Sequence, residues 1–233
     1  MKPVNKGPAP KAYSAYNEAK ADLIAKLGPH CSYCEAYGLP TALDVEHIYP
    51  KGAHPNRERQ WDNFLISCKS CNSKKHGYLG ARRQRGLSGR FLWPHLDNTT
   101  RAFTYSADGS VQPATGLTPD NRALAEKTIE MVGFMSRPGP AADFEALAIA
   151  YTGVSIREEV WNQAESVKGD YDANPSAPRA QSLARLAARI GYFSVWMEVF
   201  HDRPEFRRAL VVAFQADPQC FDGQGRTVPK GRT

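Results

Sequence analysis

Four of the five cysteines stand as two Cys-x-x-Cys pairs, Cys31/Cys34 and Cys68/Cys71. Thiolates bind zinc tightly and favour tetrahedral geometry, and a Cys-x-x-Cys turn brings two sulfurs to one metal. Two such turns complete four-coordination and leave no open position, so the zinc they predict is structural. A disulfide pair or buried free thiols would be the alternatives. No apolar leader of secretory type is visible in the first 20 residues, so a reducing, cytoplasmic compartment is expected, and there paired cysteines read as metal ligands. Cys220, left without a pair, reads as a bystander.

Between and after the pairs lies a second set: Glu46 and His47, then Asn63, then Asn72, Lys75 and His76 directly behind Cys71. Phosphodiester hydrolysis needs a water deprotonated near neutral pH and a cation to hold charge on the phosphate and the leaving oxygen. Histidine suits the first task, and oxygen and imidazole ligands suit the second. His47 is the candidate base. Glu46, Asn72 and His76 are candidate ligands of a catalytic ion. Asn72, Lys75 and His76 stand at i, i+3 and i+4 and share a face if that stretch is helical, with Lys75 then able to meet the scissile phosphate. Asn63 would orient the loop or the base by hydrogen bonds, or simply cap a turn.

The elements that must position these residues set a geometric condition. Ala42 to Ile48 reads as a strand, and adjacent strand residues point to opposite faces. Glu46 and His47 can serve one site only if the strand bends or ends near His47, as Pro50 allows; otherwise Asp44 would take part. Lys51 to Gln60 reads as a loop, Trp61 to Ile66 leads into the second knuckle, and Asn72 to Leu79 begins a short helix that Gly80 would stop. Ahead of the motif, Met1 to Lys11 reads as a flexible leader, and Ala12 to Leu27 as a helix ended by Gly28-Pro29. His30 and His54 read as surface residues, and Trp61 as core.

Further on, Asp108-Gly109 marks a hairpin turn between Phe103-Thr104-Tyr105 and Val111. Thr118-Pro119 marks a helix start. Helices are then expected over Ala142–Lys168, over Pro178–His201 with Phe193, Trp196 and Phe200 as core, and after Pro204. The tail from Asp217 is expected to fray. The fold class is therefore α+β: a nuclease half over residues 1–115 and a mainly helical half over residues 116–233. No run of 18 apolar residues exists, so no membrane span is expected.

The 233 residues carry a net charge of +6 and a pI near 9.1, which favours a polyanionic partner. From Lys51 to Arg101 there are eleven basic residues against three acidic, a local +8, so the rest of the chain sums to −2. Lys51, Arg57, Lys74, Arg82, Arg83 and Arg85 are the candidate phosphate contacts. No base-reading helix is evident, so double-stranded DNA held through its backbone is the expected substrate.

As a set, Cys-x-x-Cys, Asp-Val-Glu-His-Ile-x-Pro and Trp-x-Asn-Phe-Leu-x-x-Cys-x-x-Cys-Asn-x-x-Lys closely resemble the HNH endonuclease family. The resemblance covers about 47 residues. It implies a ββα-metal core with a four-cysteine zinc beside it and His47 as general base. It also implies Glu46, Asn72 and His76 as ligands of Mg²⁺ or Mn²⁺, with Asn63 as the central asparagine and Lys75 as a phosphate-contacting lysine. Cleavage would leave a 5′-phosphate and a 3′-hydroxyl. Glu46 stands where aspartate or histidine is more usual, and Asn72 where histidine often stands. Cys-x-Tyr-Cys-Glu, Glu-His-x-x-Pro-Lys and the later Ala-Glu-Lys-Thr-Ile-Glu-Met-Val-Gly-Phe resemble the small HNH nucleases of Septu or retron-associated bacterial anti-phage systems. That resemblance implies an ATPase protein partner, bound through the helical half. The other reading is a non-catalytic zinc-ribbon module that binds nucleic acid or protein, and the Glu46/His47/Asn72/His76 set argues against it, since a ribbon needs only the cysteines.

Overall fold

Alternation of Leu43, Val45 and His47 with Asp44 and Glu46 yields strand β1 (Leu43–His47), and the apolar run after Asn63 yields β2 (Phe64–Cys68). They pair antiparallel, with Val45 opposite Ile66 and His47 opposite Phe64. Helix α2 (Lys69–Ala81) leaves β2 without a break, so the second cysteine pair spans the junction of strand and helix. This is a ββα unit. It is described by a computed structural model that covers residues 1–81, 89–134 and 154–233.

Helix α1 (Lys20–Leu27) packs on both strands through Leu23 and Leu27 and stops at Gly28, whose φ is +75°. It begins later than the apolar spacing predicted, because a 3₁₀ turn occupies Tyr16–Ala19. A second hairpin, β3 (Phe103–Tyr105) with β4 (Val111–Pro113), turns at Asp108-Gly109 as expected. Helix α3 (Pro119–Val132) starts on the Thr118 hydroxyl, which accepts the Asn121 N–H at 3.3 Å. The Tyr78 hydroxyl donates to Glu130 at 3.0 Å and links α2 to α3.

Helices α4 (Ile156–Ala173), α5 (Ala177–Ile190), α6 (Phe193–Val199) and α7 (Pro204–Ala213) make up the rest. The mixed α+β architecture is thus as read from the sequence, with most helices in the C-terminal half. The first part of the helix expected over Ala142–Lys168 lies outside the described residues. Buried Ala180, Ala184 and Ala187 form a small-residue stripe that lets α5 pack closely on α7. The single helix expected over Pro178–His201 is two helices, broken at Gly191 and Tyr192, whose φ values are +93° and +59°. Contact with the first knuckle explains the break. Gly191 bridges to Ala36, and a Cβ there would stand 2.6 Å from the Tyr37 nitrogen and 2.7 Å from the Glu35 oxygen.

Three expectations fail because of long-range packing: the leader and the C-terminal half pack against the motif, and the tail packs against the segment around Asp97 and Asn98. The leader is not loose. Met1, Lys2, Val4 and Lys6 are buried, and the Lys6 ammonium donates to the carbonyls of Trp61, Asp62 and Phe64 at 2.7–2.9 Å. The tail is tied down as well, with Arg232 bidentate to Asp97 and the Asn98 amide donating to the carbonyls of Cys220 and Val228. His30 is buried, its Nε2 2.7 Å from the Ala188 carbonyl, and burial lowers its pKa to about 4. Glu35, just after the first cysteine pair, accepts from the Ser194 backbone and hydroxyl at 2.9 and 2.6 Å. The buried apolar side chains form one cluster drawn from both sides of residue 116.

One consequence is measurable in acid. Burial, with Lys6 and Lys230 nearby, lowers the His95 pKa from 6.5 to about 3. Its neutral form is the one the fold accepts. The stability it contributes is therefore complete above pH 6.5 and lost as pH falls towards 3, because the unfolded chain takes up the proton first. The loss at pH 5 comes to about 2 kcal/mol. Replacing His95 with Leu should narrow the difference in urea-unfolding free energy between pH 7.5 and pH 5 by that amount; an unchanged difference would refute the burial effect.

Candidate active site

Pairing between β1 and β2 ends at His47, which resolves the directional condition on Glu46 and His47. Both line one cleft between the end of β1 and the first turns of α2, together with Asn72, Lys75 and His76. Tyr16, Val45 and the turn Pro50 to Ala53 complete its walls. Asp44 lies elsewhere, 3.7 Å from the Lys20 ammonium.

The His47 imidazole is fixed on three sides. Tyr16 and Phe64 meet it edge-on, with ring centroids 4.9 and 5.3 Å away. Its Nε2 lies 2.9 Å from the Glu58 carbonyl. A carbonyl only accepts, so Nε2 carries the proton and Nδ1 is the basic nitrogen. Burial holds its pKa below the ordinary 6.5, against the opposing pull of the Glu58 carbonyl and Glu46. The ring is therefore neutral, and able to accept a proton, at neutral pH.

Asn63 does not line the cleft. It is fully buried, and its side chain binds backbone only. Its Oδ1 accepts the Tyr49 N–H at 2.7 Å, and its Nδ2 donates to the carbonyls of Tyr49 and Arg57 at 3.1 and 3.0 Å. The bond to Arg57 pins the loop next to Glu58, whose carbonyl holds His47. Lys6, clasping the carbonyls on either side of Asn63, secures the same turn. Sequence reasoning missed Lys6, Tyr16 and the Glu58 carbonyl. Only the 3₁₀ turn before α1, which brings Tyr16 onto the cleft, would have pointed to one of them.

Lys75 is also committed. Its ammonium is buried against Glu46 Oε1 at 2.5 Å and donates to the His47 carbonyl. Tyr33 donates to the same Glu46 oxygen at 3.3 Å. Asn72 is half-buried and His76 exposed, both at the cleft. Carboxylate, amide and imidazole make a donor set suited to a hard divalent cation.

At the junction of β2 and α2, the sulfurs of Cys31, Cys34, Cys68 and Cys71 all lie within 4.8 Å of one another. The Cys34–Cys68 separation of 3.9 Å matches the edge of about 3.8 Å that a tetrahedron of 2.3 Å zinc–sulfur bonds would have. The Cys71 N–H points to the Cys68 sulfur at 3.5 Å, a backbone bond that steadies a metal-binding knuckle. Burial pushes the Cys31 thiol well up, while hydrogen bonds from the other three cysteines draw Cys68 far down. Four sulfurs this close together form a site that one divalent ion could hold. Among the described residues it is the one cluster of three or more His, Cys, Asp or Glu able to do so.

The basic residues divide. Lys51 stands at the cleft, its ammonium 4.3 Å from the Tyr16 ring centre and 3.6 Å from Glu58. Arg57 is paired with Asp62 at 2.7 Å and lies over Tyr49, lining a neighbouring groove. Lys74 lies against Gly133 at the end of α3. Arg82, Arg83 and Arg85 are outside the described residues.

A ββα unit with a four-thiol cluster behind it and a His/Glu/Asn cleft in front of it defines a nuclease-type core. Residues 31–77 match the model of the HNH endonuclease family, so this segment is an HNH domain. Two relatives extend the likeness. "Septu protein PtuB" of Bacillus thuringiensis is 40% identical over 58 residues, 24% of this chain and 23% of the relative. "Retron Vc95 putative HNH endonuclease" of Vibrio cholerae serotype O1 biovar El Tor is 28% identical over 109 residues, 46% of this chain and 52% of the relative. The chain thus spans about a quarter of the length of one relative and about half of the other. Among the described residues no helix is long and apolar enough to cross a membrane.

Proposed function

We propose that this protein is a metal-dependent endonuclease that hydrolyses DNA phosphodiester bonds, working with an ATPase partner in bacterial anti-phage defence. The observation that carries the catalytic part is the single cleft lined by Glu46, His47, Asn72, Lys75 and His76, with the His47 ring locked by the Glu58 carbonyl. Likeness to a Septu protein and to a retron nuclease supports the defence setting.

In this reading His47 Nδ1 removes a proton from the attacking water as the water oxygen bonds to phosphorus. The phosphorus–O3′ bond breaks, and the leaving oxygen takes a proton from solvent. Glu46, Asn72 and His76 would hold Mg²⁺ or Mn²⁺, which when bound stabilises charge on the phosphate and the leaving oxygen. Lys75 holds Glu46 in place, and Asn63 holds the loop that orients His47. Zinc is the ion assigned to Cys31, Cys34, Cys68 and Cys71, and its role is structural. Lys51, Arg57 and Lys74, with Arg82, Arg83 and Arg85, would contact phosphates.

Supercoiled plasmid tests the catalytic part of the proposal. The protein should nick it with Mn²⁺ or Mg²⁺ and stop in EDTA. Five to six phosphate contacts should make log K for duplex DNA fall against log salt with a slope of about −5. DNA binding with no nicking at any Mn²⁺ or Mg²⁺ concentration, with or without an ATPase partner, would instead identify a binding module.

A further inference from the structure

Tyr33 sits between Cys31 and Cys34 and is fully buried. For ring packing alone a phenylalanine would serve, and a buried hydroxyl carries a desolvation cost unless it finds a partner. The Tyr33 hydroxyl finds Glu46 Oε1 at 3.3 Å. The Lys75 ammonium reaches the same oxygen at 2.5 Å. Among the described residues Glu46 Oε2 takes no hydrogen bond, and it is not an enclosed atom. Two donors on one oxygen fix the rotation of the carboxylate and turn the other oxygen to the cleft that Glu46 lines.

Both donors are tied to the cysteine knuckles. Tyr33 lies inside the first pair, and Lys75 stands one helical turn after Cys71 in the second. A single ion held by the four sulfurs would therefore set the spacing between the two groups that grip Glu46.

We infer that Tyr33 is a positioning residue for the cleft: with Lys75 it pins one oxygen of Glu46 so that the other is presented to a divalent cation. This rests on the proposed role of Glu46 as a ligand of that cation. Partners one shell away from a metal ligand are worth about 10–100-fold in metal affinity when removed. The role is distinct from packing, because it acts through one named carboxylate and should vanish when that carboxylate is gone.

A double-mutant cycle on the zinc-loaded, full-length protein tests it, with Mn²⁺ binding measured calorimetrically in the absence of DNA. Tyr33→Phe should weaken Mn²⁺ binding by about 10-fold while the zinc content stays at one equivalent. Glu46→Gln should weaken it further, and the double variant should bind no worse than Glu46→Gln alone. Wild-type affinity in Tyr33→Phe would overturn the inference. So would losses that multiply in the double variant, the result expected if Tyr33 merely supports the fold or the zinc. Failure of the underlying reading looks different. A wild type that binds no Mn²⁺ removes the cation site and this inference with it. A wild type that binds Mn²⁺ but never nicks DNA removes the nuclease function, while the cycle still decides the role of Tyr33.

Discussion

His47→Ala should lower plasmid nicking by about 10²–10⁴-fold, the range for losing a positioned general base. The expected effect is large because His76, the other imidazole of the cleft, is assigned with Glu46 and Asn72 to the cation. Lys75 is cationic and paired with Glu46, and Glu46 itself is anchored by Lys75 and Tyr33. Tyr16 faces the imidazole edge-on, as a wall of the cleft. His47 also packs on Phe64, so truncation costs some stability, and His47→Gln is the better-matched companion because it keeps volume and a donor for the Glu58 carbonyl. Both variants should retain the wild-type content of cysteine-bound metal. Nicking by either variant within a few-fold of wild type, measured at a temperature where both are folded, would remove His47 from the reaction.

Removing the ion from the four-cysteine site should unfold the region around it. Structural zinc contributes on the order of 10–16 kcal/mol in small peptides, as much as the whole stability of an ordinary domain, about 5–15 kcal/mol. Here the site joins the turn before Glu35 to the start of α2, and its loss would release Tyr33 and Lys75 together. Cys31→Ser should therefore lose the metal and most of the cooperative thermal transition, and a strong chelator should do the same to wild type. Cys220→Ser should keep a full metal equivalent, since Cys220 lies in the tail turn next to Asp217. A full equivalent of zinc in Cys31→Ser would sink the assignment.

The local signals carried far. Cysteine spacing, the Asp108-Gly109 turn and the Thr118-Pro119 start each act over a few residues, and each is found where the chain chemistry put it. Residues of the cleft were legible for the same reason, since strand end, knuckle and helix follow one another in 47 residues. What was not legible is long-range. Lys6 reads as one more charge in a polar leader, because nothing near it shows that three carbonyls around residue 63 will receive its ammonium. Pro178–His201 reads as one helix, because the break at Gly191 is imposed by Glu35 and Ala36, more than 150 positions away. The roles expected of Asn63 and Lys75 depend on partners that spacing does not specify, the Tyr49 and Arg57 backbone for one and Glu46 for the other.

The Glu35–Ser194 and Ala36–Gly191 contacts also bear on how the chain could be divided. Gly116, exposed in the turn before α3, is a point at which a protease or a gene fusion can interrupt the backbone. Because those contacts, and the bonds from Asn98 to the tail, cross that point, an interruption there should leave two fragments that stay bound to each other. Co-elution of residues 1–115 with 116–233 after a single cut is the expected result, and separation without denaturant would contradict it. Held this way, the protein could be rebuilt from two separately expressed halves, each inert until it meets the other, because the second half braces the knuckle on which the cleft of the first is built.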